Sequence, residues 1–384
     1  MSNQQVTIQF PDGKQQRFVK GVTLTEIAKA ISPNLAKKSI VGSVNNTATD
    51  LTRPILTDAQ IAIYDAKSEQ GLEVIRHSTA HLLAQAVKRL YPDVNLGIGP
   101  VIDNGFYYDI EMAHTLVPED LIRIEREMKK IVSESLRIVR KEVTREEAKQ
   151  LFVHDALKLE LLEAIPSDEL ITIYEQGEFY DLCRGPHVPS TNKLQHFKLM
   201  NISGAYWRGD SNNQMLQRIY GVAFASKEEL QDYFLFLEEA EKRNHRKLGK
   251  ELELFMFSEE APGMPFYLAN GQIIRNELES FLRSLQSTYD YKEVRTPLMM
   301  NQRLWEQSGH WQHYKENMYF TQVDQQKFAL KPMNCPGHML IYKNELHSYR
   351  DLPIRMAEFG QVHRHEFSGA LNGLLRVRTF CQDD

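Results

Sequence analysis

Residues 331–338 read KPMNCPGH, and residues 355–384 read RMAEFGQVHRHEFSGALNGLLRVRTFCQDD. Within the second stretch, residues 355–359 and 374–378 have the apolar and β-branched content that is typical of strands. The residues between them are rich in histidine, glycine and charged side chains, which predicts a long polar turn. This part of the chain is therefore expected to contain two strands joined by an extended polar loop.

Arg364 and Glu366 lie two positions apart in this loop. Residues two apart at the end of a strand project toward one face. The planar guanidinium group of arginine donates two parallel hydrogen bonds and suits a phosphate, and the glutamate could accept a hydrogen bond from an adenine amino group. Two interpretations follow from the residues alone: a nucleotide site, or a surface hairpin with an incidental ion pair.

The first 63 residues alternate short apolar segments with turn signals. A hairpin is predicted around Pro11-Asp12-Gly13, and a helix over residues 23–31 with a threonine N-cap. Apolar segments at residues 40–44 and 61–64 complete a pattern of four strands and one helix. The pattern predicts either a small β-grasp module or a generic α+β adaptor.

Helical periodicity begins near Glu73 and ends before Tyr91-Pro92. One face of this helix is apolar and is predicted to be buried; it carries Ile75, Leu82, Leu83, Ala86 and Leu90. Residues 227–254 are charged and helical in pattern, which predicts a solvated connector helix.

A second group of chemically capable residues consists of two pairs with i, i+4 spacing: His77 with His81, and Cys183 with His187. Residues four apart on a helix share a face, so the two histidines can converge on one point. Three imidazoles and a thiol match a zinc ligand set. The same groups can instead orient water or act as an acid and a base. Lys158 and Asp181 are further polar candidates for this site.

The composition of the 384 residues limits the class of protein. A formal net charge of −5 excludes a uniformly basic nucleic-acid coat. Three cysteines are too few for a disulfide framework and favour a reducing, cytoplasmic compartment. No apolar run approaches the roughly 18 residues of a membrane helix, and the first residues do not resemble a secretory signal. A multidomain cytoplasmic protein without a membrane segment is expected.

Four motifs, in this order, resemble the bacterial threonyl-tRNA synthetases: residues 331–338, 356–360, 376–378 and 382–384. The resemblance covers essentially the whole chain and implies an α+β multidomain fold. It divides the chain into a TGS-like β-grasp domain (1–63), an α+β editing domain (64–225), a linker helix (226–249) and a partial class II antiparallel-sheet catalytic core (250–384). Residues 276–297 resemble motif 1, which contributes to the dimer interface in that family.

The resemblance implies roles in the catalytic core. Arg364, Glu366 and Arg376 would contact the α-phosphate, the adenine and the triphosphate of ATP, which is used with Mg²⁺. Gln382 would contact the nucleotide as well, and it would line the threonine pocket together with Met333 and Asp384. Cys335 matches the first ligand of a catalytic zinc ion.

For the other group, the resemblance implies an editing site formed by His77, His81, Cys183 and His187, with Lys158 and Asp181 as supports and without a metal ion. Two sites are needed for a physical reason. A site that pairs with the hydroxyl of threonine can reject valine by about 10⁴-fold or more, whereas serine lacks only a methyl group, worth about 10–200-fold. Discrimination against serine therefore requires hydrolysis at a second site.

Three functional classes remain open from the sequence. The first is a threonine–tRNA ligase that uses threonine, ATP and tRNA(Thr), forms a homodimer and hydrolyses seryl-tRNA(Thr). The second is a hydrolase that only edits mischarged tRNA, and the third is a non-enzymatic RNA-binding or regulatory protein. Because motif 3 and the later zinc ligands of the family are not found up to Asp384, a fragment or a truncated paralogue is expected.

Overall fold

The structure, a computed structural model, describes residues 5–384 and begins with a five-stranded sheet of order β2-β1-β5-β3-β4. β1 and β5 are parallel, and the other neighbours are antiparallel. The elements are β1 (Gln5–Gln9), β2 (Gln15–Val19), α1 (Leu24–Ile31), α2 (Pro33–Lys38), β3 (Ser39–Val44), β4 (Thr47–Thr49) and β5 (Ala59–Asp65). The predicted hairpin and the capped first helix are confirmed, and Thr23 caps α1. The pattern missed α2 and β4, which are too short to show a period.

The next part of the chain contains two further sheets, with strand orders β11-β10-β9 and β12-β13-β8-β6; β7 also pairs with β8. Its elements are α3 (Glu69–Leu90), β6 (Asn95–Leu96), β7 (Val101–Ile102), β8 (Gly105–Glu111), α4 (Pro118–Glu134), β9 (Ile138–Val143), α5 (Arg145–Leu151), α6 (Ala156–Ala164), β10 (Ile171–Gln176), β11 (Phe179–Leu182), β12 (Phe197–Tyr206) and β13 (Met215–Ala223).

Helix α3 forms the centre of the main hydrophobic core. It begins four residues before the predicted start at Glu73, because the Ser68 hydroxyl accepts a hydrogen bond from the Gly71 amide and caps the helix. The predicted apolar face is confirmed: Leu82, Leu83 and their neighbours are buried against α4 and the β8 sheet. Two residues of β3, Ile40 and Val41, belong to the same core, so the β-grasp sheet packs against α3.

The predicted connector helix over residues 227–254 is divided into two helices, α7 (Lys227–Lys242) and α8 (His245–Glu251). Asn244 interrupts it because its side chain accepts a hydrogen bond from the Arg246 amide and caps α8. The chain forms two compact units, and the boundary between them follows Leu235, within α7. The division into four segments derived from the sequence remains a prediction.

The second unit contains several small sheets, in which β17, β19 and β18 form the largest. Its further elements are β14 (Phe255–Met256), β15 (Phe266–Tyr267), α9 (Ala269–Thr288), β16 (Lys292–Glu293), β17 (Met299–Asn301), α10 (Gln302–Gln307), α11 (His310–Tyr314), β18 (Phe320–Val323), β19 (Gln326–Leu330), α12 (Cys335–Lys343), β20 (Met356–Ala357), β21 (Phe359–His363) and β22 (Thr379–Asp383). Four strand pairs of this unit are antiparallel, in agreement with the expected antiparallel core: β14 with β15, β17 with β19, β18 with β19, and β21 with β22. The short pair of β16 with β20 is parallel.

The predicted strand over residues 374–378 is wrong. β21 pairs with β22, which begins only at Thr379. The Arg376 amide donates to the carbonyl of Asn372, and the Arg378 amide donates to the carbonyl of Gly263. These backbone groups are used in a local turn and a loop contact, so they do not extend the ladder.

Among the described residues, no helix combines the length and the apolar character that crossing a lipid bilayer requires.

Candidate functional site

Four side chains predicted as one site do converge in the first unit, and we call them the imidazole–thiol cluster: His77, His81, Cys183 and His187. Their candidate ligand atoms all lie within 4.8 Å of one another. The His77 and His81 rings stack with centroids 5.1 Å apart, because the two residues are one turn apart on α3. The Cys183 sulfur lies 3.0 Å from Nε2 of His77 and 3.3 Å from Nε2 of His187. The cluster is therefore linked by its own hydrogen bonds.

The two supporting residues named from the resemblance also lie at this cluster. Lys158 Nζ is 2.5 Å from Asp181 Oδ1, and both side chains are buried. Asp181 Oδ2 accepts a hydrogen bond from the Tyr108 hydroxyl at 2.5 Å and lies 3.2 Å from Nδ1 of His81. Lys158 also donates to the Gly97 carbonyl at 2.8 Å. A buried charge pair with these additional partners can hold an imidazole in one orientation.

Local structure explains how these residues meet. Asp181 lies on β11, and the chain then leaves the strand through Cys183 and Gly185-Pro186. Gly185 has a φ of +71°, and a Cβ at this position would lie 1.8 Å from the Tyr174 hydroxyl. Only glycine fits there. The turn brings His187 back toward α3, where Ser78 Oγ lies 3.0 Å from its Nδ1.

Burial decides the protonation states of the cluster. It lowers the pKa of His77, and it lowers the pKa values of His81 and His187 well below the ordinary imidazole range. Burial also raises the pKa of the Cys183 thiol to about 12. At neutral pH the site therefore presents neutral imidazoles and a neutral thiol. Such a thiol is a poor nucleophile, whereas a neutral imidazole can accept a proton.

The residues predicted to bind a nucleotide lie around β21 and β22 in the second unit. Arg364 follows β21; its Nε donates to the Pro332 carbonyl at 3.1 Å, and its guanidinium group lies over the Phe380 ring at 5.1 Å. Glu366 does not pair with Arg364 but with Arg376, whose Nε lies 3.0 Å from Glu366 Oε2. Two of the four predicted nucleotide-binding side chains, Glu366 and Arg376, thus form one ion pair.

The residues predicted for the threonine pocket lie near one another on β22 and before α12. Gln382 pairs with Gly360 across the two strands, and a Cβ on Gly360 would lie 2.2 Å from Asn334 Oδ1. In the part of the chain that the structure describes, Gln382 Oε1 and both polar atoms of the Asn334 side chain are buried without a hydrogen-bond partner. Buried unpaired polar groups are costly, so each of these atoms needs a polar partner, which ordered water or a small polar ligand can supply. Met333 precedes Asn334, and Asp384 follows β22.

Cys335 begins α12 and is exposed. Within residues 5–384, the only group of three or more His, Cys, Asp or Glu side chains close enough to hold a metal ion is the imidazole–thiol cluster. Because a stable zinc site takes three or four protein ligands, Cys335 and the other described residues of this unit do not form one by themselves.

A buried ionic network, which the sequence did not predict, involves residues of the same motifs. The Lys331 ammonium group donates to Glu358 Oε1 at 2.9 Å and to the Thr296 hydroxyl at 2.7 Å. His338 Nε2 lies 2.9 Å from Glu358 Oε2. Lys331, His338 and Glu358 belong to the quoted motifs, but nothing in their spacing showed that they form one network.

In the first unit, the sequence interpretation assigned no role to three residues that contact the site: Tyr108, Ser78 and Asp50. Tyr108 ends a Phe-Tyr-Tyr segment, and this aromatic run was the only feature of the sequence that could have drawn attention to it. Asp50 comes from the β-grasp sheet and accepts a hydrogen bond from the His187 amide at 2.8 Å. No local sequence pattern connects Asp50 with His187, because the two residues are 137 positions apart.

Comparisons with known proteins match three family models. The TGS domain matches residues 6–65, the threonyl and alanyl tRNA synthetase second additional domain matches residues 171–220, and the tRNA synthetase class II core domain (G, H, P, S and T) matches residues 318–384. These modules together define a class II aminoacyl-tRNA synthetase sequence with an additional domain of the editing type.

Individual relatives are also similar over nearly the whole chain. Threonine--tRNA ligase 2 of Bacillus subtilis (strain 168) is 63% identical over 381 residues, which cover 99% of this chain and 60% of the relative. Threonine--tRNA ligase of Carboxydothermus hydrogenoformans is 53% identical with the same coverage. The solved RNA binding domain of threonyl-tRNA synthetase from Cryptosporidium parvum Iowa II is 49% identical, with a TM-score of 0.36, and covers 37% of this chain and 36% of that one.

Over nearly its whole length the chain is therefore similar to threonine--tRNA ligases. It spans 60% of the length of the threonine--tRNA ligases named here.

Proposed function

We propose that the first unit hydrolyses the ester bond of tRNA(Thr) mischarged with serine, and that the whole chain is part of a threonine–tRNA ligase. The observation that carries the hydrolytic proposal is the imidazole–thiol cluster next to the buried Lys158–Asp181 pair. An aminoacyl ester is already activated, so its hydrolysis requires a positioned water molecule and a base but no ATP.

His81 is the residue best placed to act as the base. Asp181 lies 3.2 Å from its Nδ1 and, as a hydrogen-bond acceptor, would keep the proton on that nitrogen. Nε2 is then free to accept a proton from water as the water oxygen bonds to the acyl carbon. The same proton is returned to the ribose oxygen as the ester C–O bond breaks. Because Cys183 is a neutral thiol, water rather than sulfur is the proposed nucleophile.

The proposal is tested by incubating the chain with seryl-tRNA(Thr) and threonyl-tRNA(Thr) at low salt, where contacts to phosphates are strongest. We expect hydrolysis of the seryl ester and little hydrolysis of the threonyl ester. The double variant His77→Ala/His81→Ala should lose the reaction. His154→Ala, which removes an exposed histidine of the same unit, is the matched control and should retain it.

Two results would reject the hydrolytic proposal. One is survival of seryl-tRNA at its uncatalysed rate with the unsubstituted chain. The other is hydrolysis by the double variant at the same rate as by the His154→Ala control. Binding of tRNA without hydrolysis would instead favour a non-enzymatic RNA-binding protein.

The ligase part of the proposal assigns the second unit to the activation of threonine with ATP and Mg²⁺. It is supported by Arg364 beside β21, by the Arg376–Glu366 pair and by the unpaired polar atoms of Gln382 and Asn334. Arg364 would neutralise charge on the α-phosphate, and the pocket beside Gln382 would take the amino acid. Cys335 would supply one ligand of a zinc ion, which would provide a Lewis-acidic partner for the hydroxyl group of threonine. The cytoplasm is the proposed compartment, in keeping with three free cysteines.

A homodimer through α9 belongs to the same proposal. Residues 276–288 of this helix belong to the stretch that resembles motif 1, and the helix exposes several large apolar side chains: Ile273, Ile274, Leu278, Phe281 and Leu285. A contiguous apolar face of this kind is typical of protein–protein interfaces. Sedimentation should show a dimer that Leu278→Glu converts to a monomer, whereas Glu277→Gln, an exposed neighbour, should not. A monomeric unsubstituted chain would contradict the proposal.

A further inference from the structure

Asp50 occupies a fixed position in the β-grasp module. It follows β4 and is 8% exposed. Its neighbour Leu51 packs in the hydrophobic core of that sheet, and the Leu51 carbonyl accepts hydrogen bonds from the amide of Thr25 at 2.9 Å and from its hydroxyl at 3.1 Å. The backbone at Asp50 is therefore held by its own module.

The carboxylate of Asp50, in contrast, bonds to residues of the other module. Oδ2 accepts a hydrogen bond from the Tyr174 hydroxyl at 2.7 Å, and Oδ1 accepts one from the His187 amide at 2.8 Å. Charge-assisted hydrogen bonds of this kind are stronger than neutral ones. Burial, with a further contribution from the Asp50 charge, raises the pKa of Tyr174, so the phenol remains a donor.

The His187 ring is positioned by Tyr174, which is a partner of Asp50, and by two residues of the cluster region. The Tyr174 ring packs on the His187 ring with centroids 4.3 Å apart. Ser78 Oγ lies 3.0 Å from Nδ1 of His187, and Cys183 Sγ lies 3.3 Å from its Nε2. Asp50 thus hydrogen-bonds directly to the backbone of His187, and it acts on the His187 ring through the Tyr174 ring that packs against it.

We propose that Asp50 is a positioning residue for the candidate editing site, so that the β-grasp module completes the site built by its neighbour. The inference rests on the proposed hydrolysis of mischarged tRNA. Asp50 is buried and acts through His187 and Tyr174, not by contacting RNA. Without it, the loop carrying His187 keeps its contacts to Ser78 of α3, but the position of the ring is less tightly fixed.

The test compares deacylation by Asp50→Ala and Asp50→Asn with deacylation by the unsubstituted chain. Displacing a site residue by about 1 Å can cost about 100-fold in rate. We expect Asp50→Ala to lower kcat by about tenfold to 100-fold and to leave KM unchanged. In Asp50→Asn, the amide oxygen still accepts from His187 and the amide nitrogen can donate to the phenol oxygen, so kcat should be largely rescued.

Asp58→Ala is the matched control. Asp58 belongs to the same module, but its Oδ1 accepts a hydrogen bond from the Thr7 amide, within the sheet. This variant should retain kcat, because its change is confined to the β-grasp module. A loss equal to that of Asp50→Ala would assign the effect to general weakening of the module and reject the positioning role.

Tyr174→Phe provides a second, milder variant should Asp50→Ala fail to fold. It removes one partner of the carboxylate and keeps the ring on His187, so kcat should fall by several-fold at constant KM. If Asp50→Ala folds, unchanged kcat in this variant and in Tyr174→Phe would overturn the inference. When Asp50→Ala does not fold, unchanged kcat in Tyr174→Phe alone overturns it. A separate result, no hydrolysis by the unsubstituted chain, would reject the proposed function itself.

Discussion

Lys158 and Asp181 show how much a single buried charge pair matters. Their side chains are 3% and 1% exposed, and Asp181 would remain buried without its cation if Lys158 were removed. Lys158→Met is therefore expected to destabilise the first unit by about 3–5 kcal/mol. Amide hydrogen exchange in α3, measured across the variants, gives this change.

The control for Lys158 is an ion pair on the surface of the same unit. Lys141 Nζ lies 2.6 Å from Glu175 Oε1, and both side chains are partly exposed. Lys141→Met should cost no more than about 1 kcal/mol. Equal losses in the two lysine variants would show that Asp181 is not confined to a low-dielectric environment.

The three imidazoles of the cluster predict a pH dependence of stability. Because burial lowers their pKa values, the unfolded chain binds more protons than the folded chain below the ordinary value of about 6.5. Stability is therefore complete above this pH and declines as the pH falls below it, by up to about 1.4 kcal/mol per pH unit for each histidine. Hydrogen exchange of α3 between pH 7.5 and 5.5 measures the slope.

A comparison of two histidine variants tests whether the buried imidazoles cause this pH dependence of stability. His187→Asn removes one buried imidazole and should make the slope shallower, whatever its effect on stability at neutral pH. His154→Asn removes an exposed imidazole and should leave the slope unchanged. Identical slopes in the two variants would contradict the assignment.

Arg364 carries the residue-scale prediction for the second unit. A preorganised donor to developing charge is worth about 2.7–4 kcal/mol in comparable sites, so Arg364→Ala, introduced into the full-length ligase, should lower threonine-dependent pyrophosphate exchange by about 100-fold to 1,000-fold. Arg303→Ala, an exposed arginine on α10, is the control. Near-normal exchange in the Arg364 variant would remove Arg364 from the nucleotide site.

At the scale of elements, α3 supplies two residues of the cluster, and its start depends on one cap. Ser68 Oγ accepts from the Gly71 amide at 3.1 Å and donates to the Asp65 carbonyl at 2.7 Å. Ser68→Ala should destabilise the unit by about 1 kcal/mol and increase exchange of the Gly71 amide. Thr144→Ala, which removes the cap of α5, should cost a similar amount without affecting Gly71. Unchanged exchange at Gly71 in Ser68→Ala would show that the cap does not hold the start of α3.

At the scale of the whole molecule, the prediction concerns metal content. Among the described residues of the second unit, Cys335 belongs to no group of three or more candidate metal ligands. In the imidazole–thiol cluster, His77, Cys183 and His187 already hydrogen-bond to one another. Elemental analysis of the chain should therefore find no tightly held zinc. One zinc per chain that persists in Cys335→Ser but is lost in Cys183→Ser would instead assign a metal ion to the cluster.

The sequence by itself determined the main elements and the composition of both candidate sites. Helix α3 and its buried face follow from local periodicity, because each apolar residue shares a side with others three or four positions away. The family motifs brought His77, His81, Cys183 and His187 into one hypothesis, as well as Arg364 and Gln382. Their roles remain predictions, but the convergence of the first four is seen in the structure.

Only the tertiary structure decided which groups hold these residues in place. The contact between His77 and Cys183 joins positions 106 apart, and the hydrogen bond from His187 to Asp50 joins positions 137 apart. The same holds for the buried network of Lys331 and Glu358 and for the late start of β22 at Thr379. Periodicity and turn chemistry act over a few residues, whereas burial, partner choice and strand pairing depend on which distant segments pack together.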